Sequence, residues 1–381
     1  MRAWVSFLRR GVIGAGVALI AGALLEAPTP ALANDEGYAQ TNLVSNVPGL
    51  AKVQDPNLKN PWGISHSATS PWWVSDNNGN VATLYDGNGT RFPPPPAGPL
   101  VVNIPAPGAM TGGTPTGNVF NGTGGFVVSD GSKSGSSLFI FATEDGTIVG
   151  WSPAVSFTQA IIAVDNSKVP TPQNGAVYKG LALAQSEAGQ TLYAANFRAG
   201  TVDVFDSSFN AVHRAGAFKD SKVPAGFAPF GIQSIGDGIY VTYAKQKPDK
   251  HDDLSGPGNG FVDVFSTEGK LLERLIRHGK LNSPWGLTVA PNNFGEFSGD
   301  LLVGNFGDGH VNAYDRRSGE FEGTLRKSNG SAIEIQGLWG IAFGNGQTAG
   351  PKNSLFFAAG IHDEVDGLFG SLTALGEPED N

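Results

Sequence analysis

The chain has 381 residues with 54 Gly and 25 Pro, only 15% of them charged, and a formal net charge of −9. Hydrophobic residues at 40% are enough for a core, which excludes wholesale disorder, and the wealth of turn residues speaks against a helical protein and for short strands. An acidic chain is a poor match for nucleic acid, whose phosphates need clustered Lys and Arg, and without Cys it can hold no thiol nucleophile and no Cys-based zinc or iron–sulfur site.

At the N-terminus Arg2, Arg9 and Arg10 precede an uncharged apolar run over 11–25, followed by Pro28, Pro30 and Ala31-Leu32-Ala33. A basic end, a short apolar segment and a small-x-small site are the order of a secretory signal peptide, with cleavage expected after Ala33. The run is shorter than the roughly 20 residues of a spanning helix. Residues 1–33 are therefore expected to be a leader and 34–381 a single domain, secreted or periplasmic, with no membrane span in the mature chain.

Beyond the leader one phrase recurs: Pro, an aromatic, Gly, an aliphatic. It reads Pro61-Trp62-Gly63-Ile64, Pro229-Phe230-Gly231-Ile232 and Pro284-Trp285-Gly286-Leu287, with looser copies at Pro115-Thr116-Gly117-Asn118, Tyr178-Lys179-Gly180-Leu181 and Leu338-Trp339-Gly340-Ile341. Each copy is followed by an apolar run, a turn and an alternating run, as in 72–77 with 81–86 and 192–196 with 201–206; VDVF occurs twice, at 202–205 and 262–265. An inner strand at the Gly phrase, a hairpin and an outer strand, repeated about every 50 residues, predict an all-β, six-bladed β-propeller with four-stranded antiparallel blades. A β-sandwich would not repeat its phrases, and a β-helix turn is much shorter. The sixth unit runs out after Leu375, while residues 38–44 precede the first phrase without a partner. The N-terminal segment is therefore expected to be the outer strand of blade six, closing the ring and removing its edges.

The P-x-G-I opening and the V-x-V-F run resemble NHL-type six-bladed propellers. More closely, NLVSNVPGLAKVQDPNLKNPWGIS, FATEDGTIVGW and LWGIAFGNG are similar to phrases of an uncharacterised family of exported bacterial proteins, some of which carry a C-terminal PEP-CTERM sorting tail. The resemblance spans roughly residues 38–376. This chain departs from it in having no apolar segment and basic end after Leu375. The resemblance implies a fold and no settled activity.

Propeller geometry gathers the ends of the second strands at one mouth of the central channel: Asn77, Glu144, Asn196, Tyr243, Asn305 and Gly360. Asn77, Glu144, Asn196, Asn305 and Tyr243 are thus the candidate ligand-binding residues. The first four are also a candidate oxygen set for Ca²⁺, which takes six to eight oxygens; turn chemistry is the competing explanation of the Asn residues. Metal-dependent lactonase and phosphotriesterase propellers place Asn, Asp or Glu inside the P-x-G phrase. Here x is Trp62, Thr116, Lys179, Phe230, Trp285 and Trp339, a set expected to seal blade against blade, with an aromatic platform as the alternative. Glu144 is a lone acid facing a channel, so a Lys or Arg partner would mark a structural pair and a metal a site. Among the histidines, His251 in the charged insertion 245–259 and His362 in the blade-six turn are the candidate bases, and His310 lies on the same face.

These residues support an exported module that binds a ligand or partner at that mouth: a small molecule, a polysaccharide or an envelope protein. The alternative is a metal-dependent extracytoplasmic hydrolase or lyase at the same place. Motifs for nucleotide binding, for a nucleophilic Ser elbow or for an H-E-x-x-H zinc site do not occur.

Overall fold

The Gly phrase recurs because it is where the inner strands of neighbouring blades touch. The computed structural model describes residues 36–94, 96–378 and 380, so the leader expected over 1–33 lies outside the described residues. Six antiparallel sheets follow one another in chain order. Blade one is Pro61–Ser65, Trp72–Asp76, Val81–Tyr85 and Val101–Asn103, and blade two is Pro115–Phe120, Phe139–Thr143, Thr147–Trp151 and Ile161–Asp165. Blade three has Tyr178–Ser186, Gly189–Asn196 and Thr201–Phe205; blade four has Phe227–Ile235, Gly238–Lys245, Phe261–Phe265 and Leu271–Arg277. Blade five is Pro284–Val289, Leu301–Asn305, Val311–Tyr314 and Phe321–Thr324, and blade six Leu338–Phe343, Ser354–Ile361 and Asp366–Ala374. The N-terminal strand Tyr38–Ser45 completes blade six, pairing antiparallel from Tyr38 opposite Ala374 to Ser45 opposite Leu368.

Three details depart from six equal blades. In blade three the outer position is reduced to a single bridge between Phe205 and Ala211, because the segment that follows (AVHRAGAFKDSKVPAG) has charges, Gly and Pro where an alternating run would be needed. Blade six gains Val53–Gln54, which pairs parallel to the N-terminal strand. Blade two carries an extra hairpin, Val127–Ser129 with Ser134–Ser136, between its first two strands.

The six phrase glycines form a ring of close backbone contacts. A methyl group on Gly63 would meet the Thr116 carbonyl oxygen at 2.5 Å, one on Gly286 the Trp339 carbonyl at 2.7 Å, and one on Gly340 the Trp62 carbonyl at 2.6 Å. The last contact joins blade six to blade one, so the ring is closed at its axis as well as at its rim. In each blade the register with the second strand also slips by one residue within the phrase, for example between Pro61 and Ile64 and between Leu338 and Ile341. Such a bulge re-aims a side chain, and here it serves the x residue. Trp62, Phe230, Trp285 and Trp339 accordingly form one buried cluster with Phe197, Ala228 and Ala244. Trp62 and Trp339 stack with centroids 3.5 Å apart, and Trp285 meets both edge-on. They pack against one another as a seal across the channel. Trp339→Ala is expected to cost roughly 3–5 kcal/mol as a large core truncation, read by urea unfolding; a loss below about 1 kcal/mol would show that the cluster does not hold the axis.

Between blade six and blade one lies a pair of buried acids. Asp76 is 0% exposed: its Oδ2 accepts from Thr83 Oγ1 at 2.7 Å, while Oδ1 has no partner among the described residues. Asp55, also buried, accepts from the Tyr85 hydroxyl at 3.2 Å. Burial pushes the Asp76 carboxyl well above the usual carboxylate range, Thr83 opposes the shift, and the Asp55 charge adds to it. A raised carboxyl means that the folded state holds the proton more tightly than the unfolded chain. The stability it contributes is complete below the unfolded value near 4 and is lost as pH rises from there toward the folded value. Asp76→Asn, neutral throughout, is therefore expected to be more stable than the parent at pH 7 and to match it near pH 4. Urea unfolding at both pH values checks this; a variant weaker at pH 7 contradicts it.

Candidate functional site

On the face bearing the turns between second and third strands, the channel opens into a cavity of about 510 Å³ to which all six blades contribute. Its floor is the aromatic seal, with Trp62 and Trp339 reached from above and Phe306 stacked on Trp339 at 4.0 Å. The walls are charged.

The centre is an ion pair. Lys179, the x residue of blade three, is aimed into the channel by the bulge between Tyr178 and Leu181. Its side chain is 2% exposed and its ammonium bonds Glu144 Oε1, so Glu144 has the Lys partner expected of a structural pair, although the pair faces the cavity. Glu144 occupies the turn after Phe139–Thr143, which is fixed by Glu144 N–H donating to the Thr114 carbonyl and by Thr114 N–H and Oγ1 donating to Asp145. Asn77 Nδ2 donates to the second Glu144 oxygen at 2.9 Å. The Lys179 ammonium also lies 4.9 Å from the Trp62 ring centroid, a cation–π contact that offsets part of its desolvation.

The blade-four insertion folds over this pair. Its ends are held by a bridge between Gln246 and Asp253 and by Lys247 N–H donating to the Asp252 carbonyl. This places the Asp252 carboxylate 3.9 Å from the Lys179 ammonium and 3.7 Å from that of Lys247. His251 Nδ1 lies 2.8 Å from Asp252 Oδ1 and 3.9 Å from Glu144 Oε1. The hydrogen bond from His251, followed by the charges of Lys179 and Lys247, holds the Asp252 carboxyl down at about 2.

Blade six supplies a carboxyl of the opposite tendency. His362, Asp363 and Glu364 are three consecutive residues at positive φ, 54°, 55° and 66°. None is Gly, so the turn carries backbone strain of roughly 1–2 kcal/mol per residue. The strained turn delivers Glu364 inward, where Asn60 Nδ2 donates to its Oε2 at 2.8 Å and Asn60 Oδ1 accepts from Trp339 Nε1 at 3.2 Å. Burial raises the Glu364 carboxyl above its ordinary value; Asn60 and Lys179 oppose, and the charges of Glu144 and Asp252 reinforce. One cavity thus holds two carboxyls pushed in opposite directions.

The candidates read from the sequence divide accordingly. Asn77, Glu144 and His251 line the mouth together. Asn196 and Asn305 serve turns: Asn196 Nδ2 donates to Asp203 at 2.9 Å, and Asn305 Nδ2 donates to the Lys280 carbonyl at 2.7 Å and to Asp308. Tyr243 is buried in the core between blades three and four, its phenol pushed up by burial and then by the Asp263 and Asp220 charges. His362 is exposed, with Nδ1 2.8 Å from Asp366 Oδ2, and His310 Nδ1 lies 3.4 Å from Asp308. Asn60, Lys179, Asp252 and Glu364 join the site without having been candidates. Asn60 had a signal, since it stands directly before a Gly phrase, where loops converge on this mouth; Lys179 had one as the lone cation among the x residues.

Of the four residues named for a Ca²⁺ site, Asn77 and Glu144 line the mouth, whereas Asn196 and Asn305 are not in its lining: Asn196 Oδ1 accepts from the Ala199 N–H and Asn305 Oδ1 from the Asn282 N–H. Glu144, His251 and Asp252 do place one potential ligand atom each within 4.8 Å of one another. The Lys179 ammonium stands among the same oxygens and supplies the positive charge an ion would bring.

The fold and this axial mouth define a six-bladed propeller. No known family description matches the chain. An uncharacterized protein, R648, of Acanthamoeba polyphaga mimivirus is 32% identical over 336 residues, which is 87% of this chain and 78% of the viral one. The chain belongs to the same family as that protein. Among solved structures, the soluble aldose sugar dehydrogenase of Escherichia coli in its apo-form superposes with a TM-score of 0.52 at 12% identity, covering 88% of this chain and 99% of the other. A streptogramin B lyase does so with a TM-score of 0.50 at 13% identity, over 88% and 97%. At such identities the likeness is one of fold. The propeller expected from the NHL-like phrases is established; a mimivirus relative lends no support to the bacterial, exported side of that resemblance.

Proposed function

We propose that the protein is a ligand-binding propeller whose charged mouth holds a small molecule bearing amino or hydroxyl groups. The observation that carries this reading is the Lys179–Glu144 pair at the floor of a cavity to which all six blades contribute. A buried pair is a weak way to stabilise a fold, whereas rigid, prepaired charges on an open cavity are preorganised for recognition. Glu144, Asp252, Asp253 and Glu364 outnumber Lys179 and Lys247 along its walls, so the mouth favours positive or neutral ligands over anions. The leader-like residues 1–33 support work outside the cytoplasm. Calorimetric titration with spermidine, glucose and citrate tests the reading: affinity is expected to fall in that order, and Asp252→Asn to weaken spermidine about tenfold. Citrate binding as tightly as spermidine would sink it.

The Glu144, His251 and Asp252 cluster favours a second reading, a divalent cation held by these three side chains and serving hydrolysis or elimination. It requires Lys179 to yield its carboxylate. Metal analysis of protein purified without chelator decides between the two: a stoichiometric ion lost on Glu144→Ala supports the cation, and protein free of metal supports the prepaired mouth.

A further inference from the structure

At the other end of the channel a second cavity, of about 720 Å³, has a different chemistry. All six blades contribute again, yet among the described residues its lining contains no Asp, Glu, Lys or Arg. Its one imidazole, His66, directs both ring nitrogens at backbone carbonyls, those of Ser67 and Phe343. Aliphatic side chains such as Ile64 and Leu287 share the wall with amides.

Two of those amides present carbonyl oxygens that lack a donor among the described residues: Asn118 Oδ1 and Gln190 Oε1. Asn118 is 7% exposed and cannot turn to satisfy itself. Its Nδ2 is fixed by the Gly63 carbonyl at 3.0 Å, the Trp73 carbonyl at 3.2 Å and Ser75 Oγ at 2.8 Å. The cavity narrows toward the axis into a chamber of about 40 Å³, which shares Ile64, Asn118, Gln233 and Leu287 with it and ends at Trp285. The aromatic seal lies between this funnel and the charged mouth.

We propose that the funnel is a second binding site, for a neutral, partly apolar small molecule that donates hydrogen bonds to Asn118 and Gln190. An ion entering it would lose hydration without meeting a carboxylate, an ammonium or a guanidinium. A neutral molecule loses little, buries apolar surface against the aliphatic wall, and supplies donors to oxygens that are costly to leave bare. The volume lies within the usual range for small-molecule sites. The charged mouth plays no part in this recognition.

Three naphthalenes of one ring size test it by fluorescence titration at pH 7: 2-naphthol, 2-methoxynaphthalene and 2-naphthoate. The expected result is saturable binding of 2-naphthol, at least tenfold weaker binding of the methoxy compound, which has no donor, and none of the anion. Gln190→Leu, at a half-buried position, should weaken 2-naphthol about fivefold and spare 2-methoxynaphthalene. Ser234→Phe, at the rim of the same funnel, should block both. Equal affinity for all three compounds, failure of 2-naphthol to saturate, or indifference of its binding to both variants would overturn the proposal.

Discussion

Removal of residues 34–46 is expected to abolish cooperative folding, not merely to lower the melting temperature by a few degrees. The strand they contain joins three blades. Tyr38 donates its hydroxyl to the Phe294 carbonyl at 2.9 Å and packs with Phe294 and Phe297 in the core shared by blades five and six. Leu43 and Val44 belong to the core between blades six and one, beside Trp72 and Phe369. Losing a buried large side chain costs about 2–5 kcal/mol, so three together rival the roughly 5–15 kcal/mol that holds a whole domain. The deletion would also leave Asp366–Ala374 as a long unpaired edge, a template for aggregation. Circular dichroism during urea titration and gel filtration would show a broad transition and oligomers. Adding a peptide of residues 36–46 should restore the native state. A truncated protein that unfolds sharply near the parent midpoint would mean that closure at the Gly ring suffices.

The features legible in the sequence were those the repeat imposes. A Gly recurs because any side chain at Gly63 or Gly340 would strike the next blade's backbone, and an apolar run recurs because second strands such as Trp72–Asp76 and Phe139–Thr143 are buried along their whole length. Glu144, Asn77 and His251 could be placed because strand ends and a long insertion have predictable positions on a propeller. The misjudged residues share a property: each is one position at which a blade departs from its siblings. Lys179 stands where five other blades carry Trp, Phe or Thr, and Glu364 reaches the mouth through a run of positive φ that no propensity announces. Asn196 and Asn305 make the turn hydrogen bonds that were the competing explanation for them, since the residue type that could ligate an ion is also the natural partner of a turn. Repetition therefore reveals the scaffold, and the exceptions to it mark the charged mouth.

Lys179→Met is expected to lower stability by about 3–5 kcal/mol, the range for breaking a buried ion pair from one side. The replacement keeps the length of the stem against Trp62 but removes the charge that Glu144 was folded around. Among the described residues Glu144, whose side chain is 13% exposed, would keep only Asn77 as a donor, and partial solvation puts the expected loss toward the lower end of that range. Glu364 should follow, because the Lys179 charge is among the influences that hold its carboxyl down. Pairing Lys179→Met with Glu144→Leu should recover most of the loss, since an apolar pair of similar volume needs no compensation. Urea unfolding of the parent, both single variants and the double variant gives the coupling energy between the two positions. A favourable coupling above about 2 kcal/mol fits an ion pair at the floor of the mouth. Simple additivity would show that Lys179 acts through its packing on the aromatic seal, and the recognition assigned to the pair would lose its basis.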